Sequence, residues 1–450
     1  MLLRPAHTLK IKFLSLIHLT PQSQNCCRLS PTGLAMIVLI PGFLTPKNLK
    51  SYWGSATSLG LEISPVIIVN PSGVASLHDR CCEIFAQLTG TKVDFGTTHA
   101  KEHGHARYGR MYTKEEALAP NWSEDNPLHL VGHSFGGNTA RVFHHMLQSG
   151  FFGSSFGGKH VKSITVLNAP LNGALAVYAF GAQNYRHECD CSNSSSSSLA
   201  KRSSNVSRCS VGWWLGMYVH VHEYTKVFNC IYDFGMSHWP SSASLWCTLV
   251  AIFFQSPMFE GKDCANYDMT CHRSTELNQQ MMTCPTTFYF SIVGSTTKTE
   301  EKEKEKEKED ITQADDDPNS TENTWLGWVL WCLGTLFMVL VNMTTKWNIN
   351  RVHANMSREQ TEMRRKTNND GLVTCFSQQY PIIDATKSVP ANCSIKSFHN
   401  LKRNQVKPGR WHVHHVEGHH LEMVPFPRSI REQRVFFEEL FTVLRSLQQL

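Results

Sequence analysis

Charge is scarce in this sequence. Only 18% of the residues are charged, and 43 basic against 37 acidic side chains leave a net charge of +6. A balance so mild and so evenly spread excludes the basic footprint of a nucleic-acid-binding protein. Membranes and neutral substrates stay open. The amino terminus lacks a clear secretion leader: Leu9 to Leu19 is weakly apolar, is broken by Lys10, Lys12 and His18, and has no evident small-residue cleavage site. Among hydrophobic runs, the one that approaches a membrane span is Trp325 to Val341, with no charge between Glu322 and Lys346.

Apolar material is plentiful. Hydrophobic residues make up 41% of 450, enough for a large core, which excludes wholesale disorder. Length alone suggests about three domains, although large α/β enzymes run as one. The 15 cysteines are odd in number, so at least one has no partner within the chain. Seven Asn-x-Ser/Thr sequons stand at Asn121, Asn193, Asn205, Asn319, Asn342, Asn355 and Asn392. Both features lean toward the secretory pathway, hence a secreted or membrane-associated glycoprotein.

Along the chain, residues 1–34 read as an irregular leader. Short apolar runs at 35–40, 66–69, 128–131, 164–167 and 288–293 read as buried strands, with helical spacing at 78–88 and after residue 134. Strands alternating with helices predict an α/β fold with a mostly parallel central sheet. The expected domain is 35–450, with an insertion at 171–268, a charged low-complexity insertion at 296–322 and the apolar segment 325–343. The serine tract Ser192 to Ser198 predicts a flexible loop, and the Glu/Lys alternation from Glu300 to Asp310 a solvated loop or helix.

The most informative motif is Gly132-His133-Ser134-Phe135-Gly136-Gly137, a G-x-S-x-G pattern between a strand and an apolar-periodic helix. In that context the serine sits on a sharp turn that lifts its hydroxyl above the sheet, at a helix N-terminus that favours developing negative charge. Such a serine needs a base, and the base an orienting acid, in the chain order Ser, Asp or Glu, His. Asn369-Asp370-Gly371 places an acid in a turn. Gly418-His419-His420-Leu421-Glu422 offers two histidines, among 23 in the chain.

Further blocks fall in order around this motif: Tyr52-Trp53-Gly54, Asp79-Arg80, Val93-Asp94-Phe95-Gly96 with His99, Gly104 to Arg110, Tyr232-Asp233-Phe234, Asp263, and Tyr267-Asp268. Together they resemble the family I.5 lipases, the thermoalkalophilic type of Geobacillus and Staphylococcus, and their eukaryotic relatives. The resemblance spans most of residues 36–445 and implies an α/β-hydrolase fold with an inserted lid and zinc subdomain. It implies Ser134 as nucleophile, Asp370 as triad acid and His420 as base. The backbone N–H groups of Phe43 and Phe135 are implied as the oxyanion hole. Pro41 replaces the family's usual His, and Phe135 its usual Gln, changes that leave backbone donors intact. Asp79, His99, His105 and Asp263 match a structural zinc site, His103 being a nearby decoy. Of the family's calcium ligands only Glu422 is matched, with Pro427 where an Asp is expected, so calcium is not expected.

The implied activity is hydrolysis of lipid esters, triacylglycerol-like, through an acyl-enzyme at an interface, a membrane or a lipid-droplet surface. Two alternatives share the same pattern: an acyltransferase with the same triad, and an inactive membrane-associated protein of hydrolase fold. A single bilayer crossing at 325–343 would separate Ser134 from Asp370 and His420, so that segment is expected to pack in the molecule or lie at a lipid surface. The aromatics Trp213, Trp214, Tyr218, Phe228, Tyr232 and Trp239 are expected to form an apolar lid face or an ordinary aromatic minicore.

Overall fold

The first strand, β1 (Ile37–Ile40), reads IVLI and is buried at all four positions. A strand covered on both faces has no need of alternation. It is followed by β2 (Val66–Ile68), a ribbon of β3 (Lys92–Asp94) and β4 (Tyr108–Met111), then β5 (Leu128–His133), β6 (Val161–Leu167), β7 (Phe288–Ser295), β8 (Cys393–Ser394) and β9 (Trp411–Glu417). Seven of these make one sheet in the order β2-β1-β5-β6-β7-β9-β8, and every pairing in it is parallel. The ribbon β3-β4 is antiparallel and separate.

Parallel neighbours need crossovers, and the helices that make them cover both faces. On one side, Leu77–Thr89 and Phe135–Gln148 bury Leu77, Ile84, Leu88, Phe143 and Leu147 against Val38, Ile40, Leu130 and Val166. On the other, Ile430–Ser446 buries Phe437, Leu440, Phe441 and Leu444 against Ile37, Leu39, Phe288 and Phe290. The helix Leu77–Thr89 starts where the Ser76 hydroxyl accepts the Asp79 N–H at 3.2 Å. It stops at Gly90, in the left-handed region, where a Cβ would sit 2.3 Å from the Thr113 carbonyl oxygen.

The computed structural model describes residues 36–59, 64–179, 181–182, 215–216, 218–219, 222–223, 233–239, 261–295, 369–382, 393–394, 406–424 and 430–449. All belong to the unit Leu34–Leu450. The leader 1–34, the serine tract, the charged insertion 296–322 and the apolar segment 325–343 lie outside the described residues, as do Trp213, Trp214, Phe228, Tyr232 and every sequon asparagine except Asn121. Tyr218 and Trp239 are described; Trp239 packs in a small cluster with Val74, Val219, Phe234 and Met236. No described helix is long and apolar enough to cross a membrane.

The parallel α/β architecture expected from the alternating pattern is present. β5 runs two residues beyond the expected Val131, to His133. β9 was not expected, because His412, His414 and His415 interrupt its apolar residues. The structure buries His412 and His414 inside the sheet all the same.

Candidate active site and metal centre

Ser134 stands between the end of β5 and the first residue of the helix Phe135–Gln148, with φ 54° and ψ −127°. Few L-residues tolerate this region, so the surrounding turn must hold it. The glycines of the motif show how tightly. A Cβ on Gly132 would meet the Gly136 carbonyl oxygen at 2.3 Å, one on Gly136 the Ile40 oxygen at 2.1 Å, and one on Gly137 the Ala169 Cβ at 2.5 Å. The Ser134 N–H donates to the Leu167 carbonyl at 2.8 Å, anchoring the turn to β6.

The structure brings three widely separated side chains into one line. His420 Nε2 lies 2.8 Å from Ser134 Oγ, and His420 Nδ1 lies 2.7 Å from Asp370 Oδ2. An ionised carboxylate only accepts, so Nδ1 carries the proton and the Nε2 lone pair faces the serine hydroxyl. His420 lies three residues past the end of β9, in the 3-10 turn His420–Met423, and is buried. His419 is exposed, its N–H donating to Glu422 Oε2 at 2.7 Å. Asp370 is fully buried in a turn closed by the Asn369–Thr374 bridge. Its Oδ1 accepts the N–H groups of Leu372 and Val373 at 3.0 and 2.8 Å. Its Oδ2 also accepts Gln378 Nε2 at 3.0 Å.

Phe135 is the first helical residue, so its N–H has no intrahelical acceptor. At the other implied donor, the flanking N–H groups are engaged: Gly42 donates to the Tyr52 hydroxyl at 3.2 Å and Leu44 to the Gly73 carbonyl at 3.0 Å. Phe43 stands between them. The Gly42 backbone comes so close that a Cβ there would sit 3.1 Å from Ser134 Cβ.

A second cluster lies at the helix Leu77–Thr89 and the ribbon beside it. Asp79, His99, His105 and Asp263 offer ligand atoms that all lie within 4.8 Å of one another. His99 Nε2 is 3.2 Å from both Asp79 Oδ1 and Asp263 Oδ1, and His105 Nε2 is 3.2 Å from Asp263 Oδ2. All five facing atoms are buried and make no hydrogen bond. Buried polar atoms are rarely left so. His105 Nδ1 donates to the Ala106 carbonyl at 2.9 Å, which leaves its Nε2 as a lone pair aimed inward. Two imidazoles and two carboxylates form a donor set suited to a four-coordinate divalent ion. His103 lies outside the four, its ring 4.5 Å from that of His99.

Burial raises Asp263, but the facing imidazoles of His105 and His99 outweigh it and hold the carboxyl below its usual range. Burial lowers His99, yet Asp263 and Asp79 carry it up to about 9.

Three supporting residues escaped the sequence reading. Gln378 steadies Asp370, Asn168 Nδ2 reaches the His420 carbonyl at 3.3 Å, and His238 Nε2 donates to Asp79 Oδ2 at 2.9 Å. Only Asn168 carried a signal, at the end of an apolar run and with a left-handed φ of 51° that Asn tolerates. Glu422 meets His419 as described, and Pro427 lies outside the described residues.

Comparison with known proteins follows the same lines. Residues 45–192 match the family model described as "Lipase-like, C-terminal domain". Lipase 1 of Staphylococcus aureus is 27% identical over 296 residues, 58% of this chain and 38% of that protein. Lipase 2 of the same species is 24% identical over 443 residues, 91% of this chain and 54% of that protein. The chain thus spans between about a third and about half of the length of these relatives. Among solved structures, Staphylococcus hyicus lipase superposes with a TM-score of 0.63 at 21% identity, covering 93% of this chain and 98% of that one. EstA from Clostridium botulinum superposes with a TM-score of 0.59 at 20% identity, covering 93% and 88%. In sequence the chain is similar to the lipases of Staphylococcus aureus, and in fold to the solved lipase of Staphylococcus hyicus, with the mostly parallel sheet and flanking helices of an α/β hydrolase.

Proposed function

We propose that the chain is a serine carboxylic-ester hydrolase that cleaves lipid esters through an acyl-enzyme. The observation that carries this reading is the unbroken line of contacts from Asp370 through His420 to Ser134. His420 Nε2 takes the proton as Ser134 Oγ attacks the ester carbonyl, and Asp370 stabilises the imidazolium that forms. The carbonyl oxygen, now negative, is received by the N–H groups of Phe43 and Phe135. His420 then returns the proton to the departing alcohol. Water, activated by the same nitrogen, releases the acid and restores Ser134.

Asp79, His99, His105 and Asp263 hold zinc in this reading, supported by their orphaned, converging donor atoms. Four protein ligands would leave no open position, so a bound ion would tie the ribbon, the helix Leu77–Thr89 and the 263 region together and would take no part in the ester chemistry. The staphylococcal lipases to which the chain is similar support a lipid ester as substrate; meeting it at a membrane or lipid-droplet surface, after export from the cell, is our extension of the same reading.

Labelling with a fluorophosphonate ester tests the assignment. The parent protein is expected to label once, with loss of ester hydrolysis, and Ser134→Ala to lose both. Equal labelling of the two proteins would remove Ser134 from the chemistry.

A further inference from the structure

Two side chains that take no part in proton transfer tie the oxyanion loop to the base. Tyr52 Oη receives the Gly42 N–H at 3.2 Å and lies 2.5 Å from His133 Nδ1. His133 Nε2 lies 2.8 Å from the main-chain carbonyl of His420. We infer that His133, with Tyr52, is a positioning residue of the active site: a directed hydrogen-bond strap running from Gly42, beside the oxyanion donor Phe43, to the backbone of the base His420.

The direction of each bond follows from what each atom can do. A carbonyl only accepts, so His133 Nε2 carries a proton. His133 is 1% exposed, and burial, reinforced by His420, holds it down at about 3, so the ring is neutral and has a single proton. Nδ1 is therefore an acceptor, and the Tyr52 hydroxyl must donate to it. The Tyr52 oxygen is left to receive the Gly42 N–H. Reversing any one bond would set two donors or two acceptors against each other. The strap also joins three segments far apart in the chain: the loop after β1, the end of β5, and the turn after β9.

Its purpose is registry. The oxyanion donor must meet the carbonyl oxygen of the ester while the base reaches Ser134 Oγ and the departing alcohol of the same ester, and small errors in such placement are costly to rate. Asn168 Nδ2 donates to the same His420 carbonyl at 3.3 Å, a longer bond than that from His133.

The inference rests on the hydrolase reading, and the test separates the two. Phosphonate labelling of Ser134 in the parent reports on the hydrolase reading alone. With that in hand, Tyr52→Phe and His133→Asn are expected each to lower kcat about tenfold, the equivalent of one well-placed hydrogen bond, with KM little changed. The double variant should lose no more than about the larger single loss, because both cut one strap. His133→Gln, whose amide reaches the Nε2 position, should recover part of the rate that His133→Asn loses. Multiplying losses in the double variant, or no loss in either single, overturns the strap. A readout free of activity is the tautomer itself. In long-range proton–nitrogen spectra of the histidine-labelled parent, His133 should show a protonated Nε2 and a bare Nδ1; the opposite pattern overturns the inference even in a protein that hydrolyses nothing.

Discussion

The Ser134 centre and the Asp79 cluster differ in how completely the protein satisfies its own polar groups. Around Ser134, His420 Nε2 and Nδ1 both have protein partners, and both oxygens of Asp370 are engaged. Around Asp79 the facing atoms of His99, His105 and Asp263 are buried without a hydrogen bond. Burying charge without compensation is expensive. The first centre is organised by the polypeptide alone, whereas the second is a group of four side chains that could hold a metal ion between them.

The sharpest way to break this contrast is to spoil the tautomer at the first centre. Asp370→Asn keeps the shape but offers a donor toward His420 Nδ1. Steady-state hydrolysis of a soluble ester should fall on the order of 10⁴-fold, with little change in melting temperature. A small loss would mean that Asp370 does not orient the base.

At the second centre the expected loss is of stability. Where free zinc stands about a hundredfold above its Kd, occupancy contributes about 2.7 kcal/mol. Purified protein should carry about one zinc in elemental analysis, given one four-ligand site. Chelation or Asp263→Ala should lower both zinc content and melting temperature. Ser134→Ala should lower neither. If chelation leaves thermal unfolding unmoved, the cluster is not a metal site.

A smaller effect sharpens the difference in how buried histidines are treated. Burial and Lys162 hold His129 of β5 down at about 3, and His133 is held there too by burial and His420. Unfolding frees both to titrate near 6.5. In the window from about pH 6.5 to about 3 the unfolded chain binds more protons, so stability falls as pH falls, by up to about 1.4 kcal/mol per unit for each histidine. Replacing His129 by Gln should flatten the slope of stability against pH. An unchanged slope would show that His129 does not stay neutral when folded.

The least effect is expected at Gln378. Gln378→Leu removes one of the donors to Asp370 Oδ2 and should reduce the hydrolytic rate by about 1 kcal/mol of barrier, visible in kcat. No change would show that Leu372 and Val373 hold the carboxylate unaided.

Local chemistry made much of this legible in the one-dimensional chain. Fully apolar runs such as Ile37–Ile40 have no stable place but the inside of a covered sheet, and the glycines around Ser134 mark a turn that excludes side chains. The family resemblance supplied Asp370, His420 and the four metal-cluster residues. Periodicity could not have, because a carboxylate in a turn or a histidine among 23 has no distinguishing local property. β9 was missed for a related reason: its histidines are polar in composition yet buried in place.

The sequence by itself determined the parallel α/β sheet and the position of the turn that carries Ser134, since both depend on near neighbours in the chain: apolar runs, strand-to-helix succession and glycine sterics. Only the tertiary structure decided that His420 lies within hydrogen-bond distance of Ser134, that Gln378 and Tyr52 support the site, and that His238 braces Asp79. Those are contacts between residues as many as 286 positions apart. Their partners are chosen by where the sheet delivers each loop, and no spacing rule along the chain encodes that.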